Sequence, residues 1–330
     1  MLGLSYLGSF QTGLLIRTEN PLEEVWTQVS RYGTDSFLAR FQPDNKTIPW
    51  QQYTDYIKVR IRQAGEFRAA ARPGSLLTSP LPLYYAFLSL TRAFLALGPE
   101  IMPRPFHGLK FCGGKDLLSS RAKVTEGTFA DYLDANGALA TVGDELSLLD
   151  SLQMIPEMAS DLQVGQLETR VCAVRVNAQI RGPVLLRFSN FQGDFQKLWS
   201  AAFPSLVGVC EYHQDTVLRI ALQDISESHK KVEEFMPKYF HSALLPESAY
   251  WFAVPIVDSV PLLPRAGYYF VAMFILGSIV RYQPELILPV SGSESENGWL
   301  LRRFISQAER FFPQLKLTEQ NGGTAVYFHV

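Results

Sequence analysis

Apolar residues recur at three-to-four spacing through the first third of the chain, a pattern that predicts helices. Asn20, Pro21, Glu23 and Glu24 follow the order of an N-cap, a first-turn proline and an acidic first turn. Between Thr47 and Ala71, the residues Tyr53, Ile57, Ile61, Ala64 and Phe67 or Arg68 mark one stripe of a long amphipathic helix. Ser79-Pro80 opens the next helix, and Gly98-Pro99 stops it. Its apolar residues run nearly all round, so its expected place is the centre of a bundle.

Past Gly108 the pattern loosens. Residues 110–140 are rich in glycine and turn residues, and read as short strands or loops before a helix near Glu145–Met154. Leu167–Ile180 alternates as a strand does, and Val184–Phe188, Leu206–Tyr212, Thr216–Leu222 and Ala249–Val257 are further β-rich runs. Helices are predicted to interrupt them at Asp194–Ala202 and Ser226–Lys238. Helix returns at Leu263–Tyr282 and Gly298–Phe312, separated by a polar loop at 291–298. The expected fold is α+β, a mostly helical bundle with a smaller β-rich middle region. Its expected divisions are a helical region at 1–160, a β-rich region at 161–260, and helices at 261–330 that rejoin the body. No period of 20–50 residues repeats, which excludes a solenoid.

Composition excludes a disordered or disulfide-framework chain, because 47% of the 330 residues are apolar and only 3 are cysteines. Cys112, Cys172 and Cys210 are widely spaced and odd in number, which fits reduced, buried thiols in a cytoplasm. The first residues carry no basic stretch ahead of their apolar run, so a cytoplasmic location is expected rather than export. Ala266–Val280, the longest apolar run, falls short of the roughly 20 residues that cross a bilayer and reads as a buried core helix, with no membrane partner.

Net charge is only −2, but its distribution is uneven. From Lys58 to Lys123 there are 11 Lys and Arg against 3 acids, while the remainder holds 19 against 29. Such a segment suits a polyanion, and equally forms an Arg-rich solvated helix face. On one helix, Lys58 and Arg62 stand a turn apart, as do Arg68 and Arg72, whereas Arg60 points about 200° away from Lys58. Arg62 and Glu66 have the spacing of an internal ion pair.

Recognisable catalytic chemistry is missing. GLKFCGGKD at 108–116 fails as a phosphate loop, having Leu109 at the first glycine position and Asp116 where a hydroxyl is needed. No GxGxxG, GxSxG or HExxH occurs. The 5 histidines and 3 cysteines never approach zinc-ligand spacing, so neither metal nor cofactor is expected.

The blocks SPLPLYYAFLSLTRAFLAL, RPFHGLKF and AKVTEGTF, followed by YYFVAMFILGSIVRYQP, carry a resemblance. In this order they resemble the YaaC-like family of bacterial proteins, over roughly 60–130 and 265–312. The helix with Tyr84-Tyr85 and Arg92-Ala93, followed by His107-Gly108, is also similar to the HEPN superfamily of helical bundles. That resemblance implies a non-catalytic protein binding a nucleotide, RNA or a protein partner, with bacterial phage defence as one setting. It also implies an alternative, a metal-independent ribonuclease. Nuclease members place an Arg four to six residues before a His, and this chain departs from that signature, with Arg104 only three before His107.

His107, with Arg104 or Arg92, is the candidate catalytic set; as a plain loop residue, His107 would instead pin the turn before Gly108. Arg92 lies on the stripe of Tyr85 and Ser89, where a buried guanidinium either pairs with an acid or presents a fork to an anion. The acid pair is the favoured expectation. Tyr84, Tyr85, Arg281 and Tyr282 join Lys58, Arg62, Arg68 and Arg72 as candidate binding residues. Structure alone also explains some of them: tyrosines serve as core aromatics with tethered hydroxyls, and Arg281 suits the last turn of a helix.

Overall fold

The computed structural model describes residues 5–6, 13–41, 49–72, 74–98, 102–179, 183–221, 232, 235–236, 238–242, 244, 251–256, 260–292, 295–322 and 325–329. The fold is α+β. Helix α1 (Pro21–Arg31) starts as its sequence predicts, with the Asn20 side chain accepting from the Glu23 backbone N–H at 3.3 Å and Pro21 in the first turn. A short turn of helix, α2 (Asp35–Leu38), precedes α3 (Trp50–Ala71) and α4 (Pro80–Leu97). On α3 the buried stripe is Tyr53, Ile57, Ile61, Ala64 and Arg68. Arg68, and not Phe67, completes it because two carboxylates wait beneath it.

Helix α4 is the centre of the body, as its all-round apolar surface requires. By length and composition it could cross a membrane, but 83% of it is buried inside the protein. After α4 come β3 (His107–Gly113) and β4 (Arg121–Gly127), then α5 (Thr128–Ala135), β5 (Glu145–Ser147), α6 (Leu148–Gln153) and α7 (Ala159–Val164). β3, β4 and β5 form an antiparallel sheet. The helix expected from Glu145 therefore starts at Leu148. Residues 145–147 pair with β4 instead, and Ser147 caps α6 in a reciprocal box with Asp150.

The middle of the chain builds a seven-stranded sheet. β6 (Cys172–Gln179), β7 (Val184–Ser189), β8 (Cys210–Gln214), β9 (Val217–Ile220), β10 (His241–Ser242) and β11 (Trp251–Ala253) lie in the order β10-β11-β6-β7-β9-β8, with β1 (Ser5–Tyr6) on β6. Helix α8 (Phe195–Ala202) is capped by Asp194. The run from Leu206 is not strand until Cys210, because Pro204–Leu206 forms a 3₁₀ turn. The predicted helix at Ser226–Lys238 lies largely outside the described residues.

Helix α9 (Arg265–Tyr282) packs against α4 in the same body. A short α10 (Leu288–Ser291) leads into α11 (Glu296–Gln320), which runs through Pro313 rather than stopping at Phe312. Burial of Phe311, Phe312, Leu315 and Leu317 outweighs the one backbone bond the proline forfeits. Phe312 stacks on Phe87 of α4 with ring centroids 3.9 Å apart. β12 (Ala325–His329) pairs in parallel with β2 (Gly13–Arg17), joining the two ends of the chain. Buried apolar residues gather in two clusters, one among the helices and β3–β5, the other behind the seven-stranded sheet. All three cysteines are free; Cys172 and Cys210 are buried as expected, but Cys112 is exposed on the short sheet.

Candidate functional site

Between α4, β3 and α9 lies a cleft of about 390 Å³. Tyr84, Tyr85, His107, Arg281 and Tyr282 all line it. Five candidates separated by almost two hundred residues are thus brought to one place. Among the described residues no carboxylate lines it, and Arg281, on the last turn of α9, supplies a cation.

Two close approaches build the cleft, and the second depends on glycine. On α9, a Cβ at Gly277 would stand 3.4–3.5 Å from Leu81 Cα, Pro80 O and Tyr84 Cβ, so α9 sits close against the start of α4. On β3, Gly108 has φ +83°, and a Cβ there would come within 2.7 Å of the Phe129 amide nitrogen. This positive φ, at an irregularity in the β3–β4 register, positions His107 at the edge of the sheet beside the cleft.

Tyr84 is the hub of an aromatic cluster, with ring centroids 5.5 Å from Tyr85, 6.3 Å from His107, 5.6 Å from Phe270 and 5.3 Å from Phe274. The expectation of a tethered hydroxyl fails for this residue. Its hydroxyl is buried with no hydrogen-bond partner among the described residues, and burial pushes its pKa up. A buried O–H without a partner costs about 1–3 kcal/mol. Tyr84 lines the cleft, and its hydroxyl is a donor left unused among the described residues.

His107 is exposed as a residue, with its ring edge-on to Tyr84. Burial of the ring's surroundings and the Arg92 guanidinium hold its pKa below the ordinary value of 6.5; Arg281 adds to this and a Leu109 backbone hydrogen bond opposes it. Neutral imidazole is therefore the resting form at pH 7, able to accept or donate one hydrogen bond. At the mouth, Arg281 lies over the Tyr282 ring at 5.0 Å, and Tyr282 stacks on Phe111 with centroids 6.5 Å apart. Flat rings and a guanidinium with no ion-pair partner among the described residues thus share one rim.

The other two residues of the catalytic set are elsewhere. Arg104 is committed to α5: Asp131 accepts from its Nε at 2.7 Å and from its backbone N–H at 2.9 Å. Glu126 also stands 3.7 Å from Arg104. Arg104 anchors the loop ahead of β3 and does not line the cleft. Arg92 contradicts the favoured acid pair. Among the described residues it meets no carboxylate; its Nε donates to Thr128 Oγ1 at 3.0 Å and its Nη2 to the Pro105 carbonyl at 2.6 Å. Burial lowers its pKa, as does nearby Arg60.

The basic stripe of α3 is largely neutralised within the fold. Lys58 pairs with Asp35, and Arg62 with Glu66 at 3.0 Å, the internal pair expected from their spacing. Arg68 is buried between Glu23 of α1 and Glu309 of α11, each at 2.8 Å, and Arg72 contacts Glu23 at 2.8 Å. These four side chains tie helices together or satisfy neighbours. They do not join the cleft.

Phe111, Phe274 and Ser278 line the cleft but were not among the candidates. The Gly277-Ser278 pair, small residues in an otherwise bulky apolar helix, was the available signal for a close approach there. Searches of curated proteins and of solved structures return no match. A family model described as YaaC-like Protein matches residues 30–319, which includes every cleft residue. With nearly the whole chain covered, the protein belongs to the YaaC-like family.

Proposed function

We propose that this protein is a non-catalytic binding protein whose cleft takes a small anionic ligand with a flat aromatic body, of the nucleotide class. The observation that carries this reading is the convergence of Arg281, His107, Tyr84 and Tyr282 on one aromatic-walled cleft with no carboxylate among its described lining residues. Arg281 supplies a forked donor for a phosphate or carboxylate. The Tyr282–Phe111 rim offers a stacking surface, and the neutral His107 and Tyr84 hydroxyl complete the polar contacts. This favours a small ligand over a nucleic-acid backbone, since Lys58, Arg62, Arg68 and Arg72 already hold carboxylates. Mass spectrometry of small molecules released from the purified protein tests it. An aromatic phosphate or carboxylate released from wild type and lost from Arg281→Gln is the expected outcome; a co-purifying species retained by that variant would count against the cleft.

A second reading, the metal-independent ribonuclease of the HEPN kind, draws support from one observation: His107 and Arg281 line the same cleft. In it, His107 moves the proton and Arg281 stabilises the phosphate charge, in place of the Arg104 and Arg92 pairing. Incubation of single-stranded RNA with EDTA present tests it. Cleavage by wild type that His107→Ala abolishes would replace the first reading, and intact RNA leaves the binding reading in place.

A further inference from the structure

We infer a second anion-binding subsite on the α3–α4 seam next to the cleft, built by Arg60 and Arg92. The ligand then carries a phosphate chain, as a nucleoside polyphosphate does, rather than a single phosphate. This inference rests on the cleft reading and extends it.

The subsite follows from the way α3 lies on α4. The Phe67 and Tyr85 rings meet at 5.4 Å, and only residues 72–79 connect the two helices, so α4 runs antiparallel along α3. Arg60 is seven residues before Phe67, and Arg92 is seven after Tyr85. Two turns of helix, about 10 Å, therefore carry both guanidinium groups to the same level beyond the cleft-lining Tyr85.

Among the described residues neither arginine has an ion-pair partner. The Arg60 guanidinium lies over the Tyr56 ring at 5.0 Å, and its Nη1 donates to Gln63 Oε1 at 2.8 Å. Its Nε is buried with no partner among the described residues. The hydrogen bonds of Arg92 go to a hydroxyl and a carbonyl, both neutral. Two like charges in a half-buried seam without a counterion raise the energy of the free protein, and a bound anion removes that penalty.

The seam is also joined to the cleft. The Arg92 Nη2 holds the carbonyl of Pro105, two residues before His107, so Arg92 stands at the base of the loop that carries His107. His107 lies within the fields of both Arg92 and Arg281. One negative group beside Arg281 and another beside Arg92 and Arg60 would leave the histidine between them.

Calorimetric titration of the full chain with AMP, ATP and inorganic pyrophosphate tests the subsite, using wild type, Arg60→Gln, Arg60→Lys and Arg281→Gln. Arg60 is partly exposed and outside the apolar core, so its variants are expected to fold, which circular dichroism checks. Wild type should bind ATP about tenfold more tightly than AMP, the size of one charge-assisted contact. R60Q should erase that advantage and weaken pyrophosphate while leaving AMP unchanged, with R60K recovering part of both. The subsite is overturned if R60Q matches wild type for ATP and pyrophosphate, even where R281Q weakens AMP and so upholds the cleft. Conversely, a loss of pyrophosphate binding in R60Q supports the subsite even if AMP ignores R281Q, an outcome that would reject only the cleft.

Discussion

At the scale of single residues, Tyr84 carries the most direct link between stability and function. Its hydroxyl is desolvated and has no partner among the described residues, so removing it should help folding and hurt binding. Tyr84→Phe is expected to raise unfolding free energy by about 1 kcal/mol, read by urea denaturation, while weakening ligand affinity. A destabilised Y84F would mean that the hydroxyl has a structural partner after all. His107 makes a separate prediction about pH. Its folded pKa lies below 6.5, and a bound anion would raise it, so binding takes up a proton. Affinity should therefore climb as pH falls below about 6.5, and His107→Ala should flatten that dependence in titrations across the range. The same depressed pKa makes the unfolded chain bind more protons, so the histidine's contribution to stability declines on acidification through that window.

At the scale of elements, helix packing depends on a few charged and small residues set into apolar faces. Arg68 joins α3 to α1 and α11 through Glu23 and Glu309. Arg68→Ala leaves the two carboxylates only the half-exposed Arg72 and should cost about 2–3 kcal/mol, measurable by urea denaturation. Glu23 adds a pH signature: its hydrogen bond to Arg68 lowers its pKa below 4.5, so its stabilisation is present above that value and is lost as pH falls through the folded pKa. R68A should blunt this acid limb. Gly108→Ala should cost at least about 1–3 kcal/mol from its positive φ, and more from the close Phe129 backbone, read as a lowered melting temperature.

Much of this was legible in the chain, where the signal was local. Asn20-Pro21, Ser79-Pro80 and the apolar stripes of α3 and α4 announce helices because capping and periodicity act within a few residues. Helix α11 passes Pro313 because its burial is supplied by α4 and α9, which lie far away in sequence. The strand at Glu145–Ser147 depends in the same way on β4. The tyrosines, His107 and Arg281 stood out by residue type, and the fold gathers them into one cleft. Charge in the Lys58–Lys123 segment was less informative, since its partners Glu23, Asp35 and Glu309 lie outside it.

For the whole molecule, the distinction is between net charge along the sequence and charge left available after folding. The stripe on α3 is spent on internal pairs, whereas Arg281 meets no carboxylate among the described residues and lines a shaped cleft. Binding should accordingly be of a small ligand and only weakly salt-dependent, unlike the slope near −3 expected from about three phosphate contacts on a duplex. The most direct test is a calorimetric titration of AMP into wild type and Arg281→Gln at low salt. The cleft predicts saturable binding at one site per chain, weakened about tenfold by the substitution. Equal affinity in the two proteins, or no saturable binding by wild type, would contradict it.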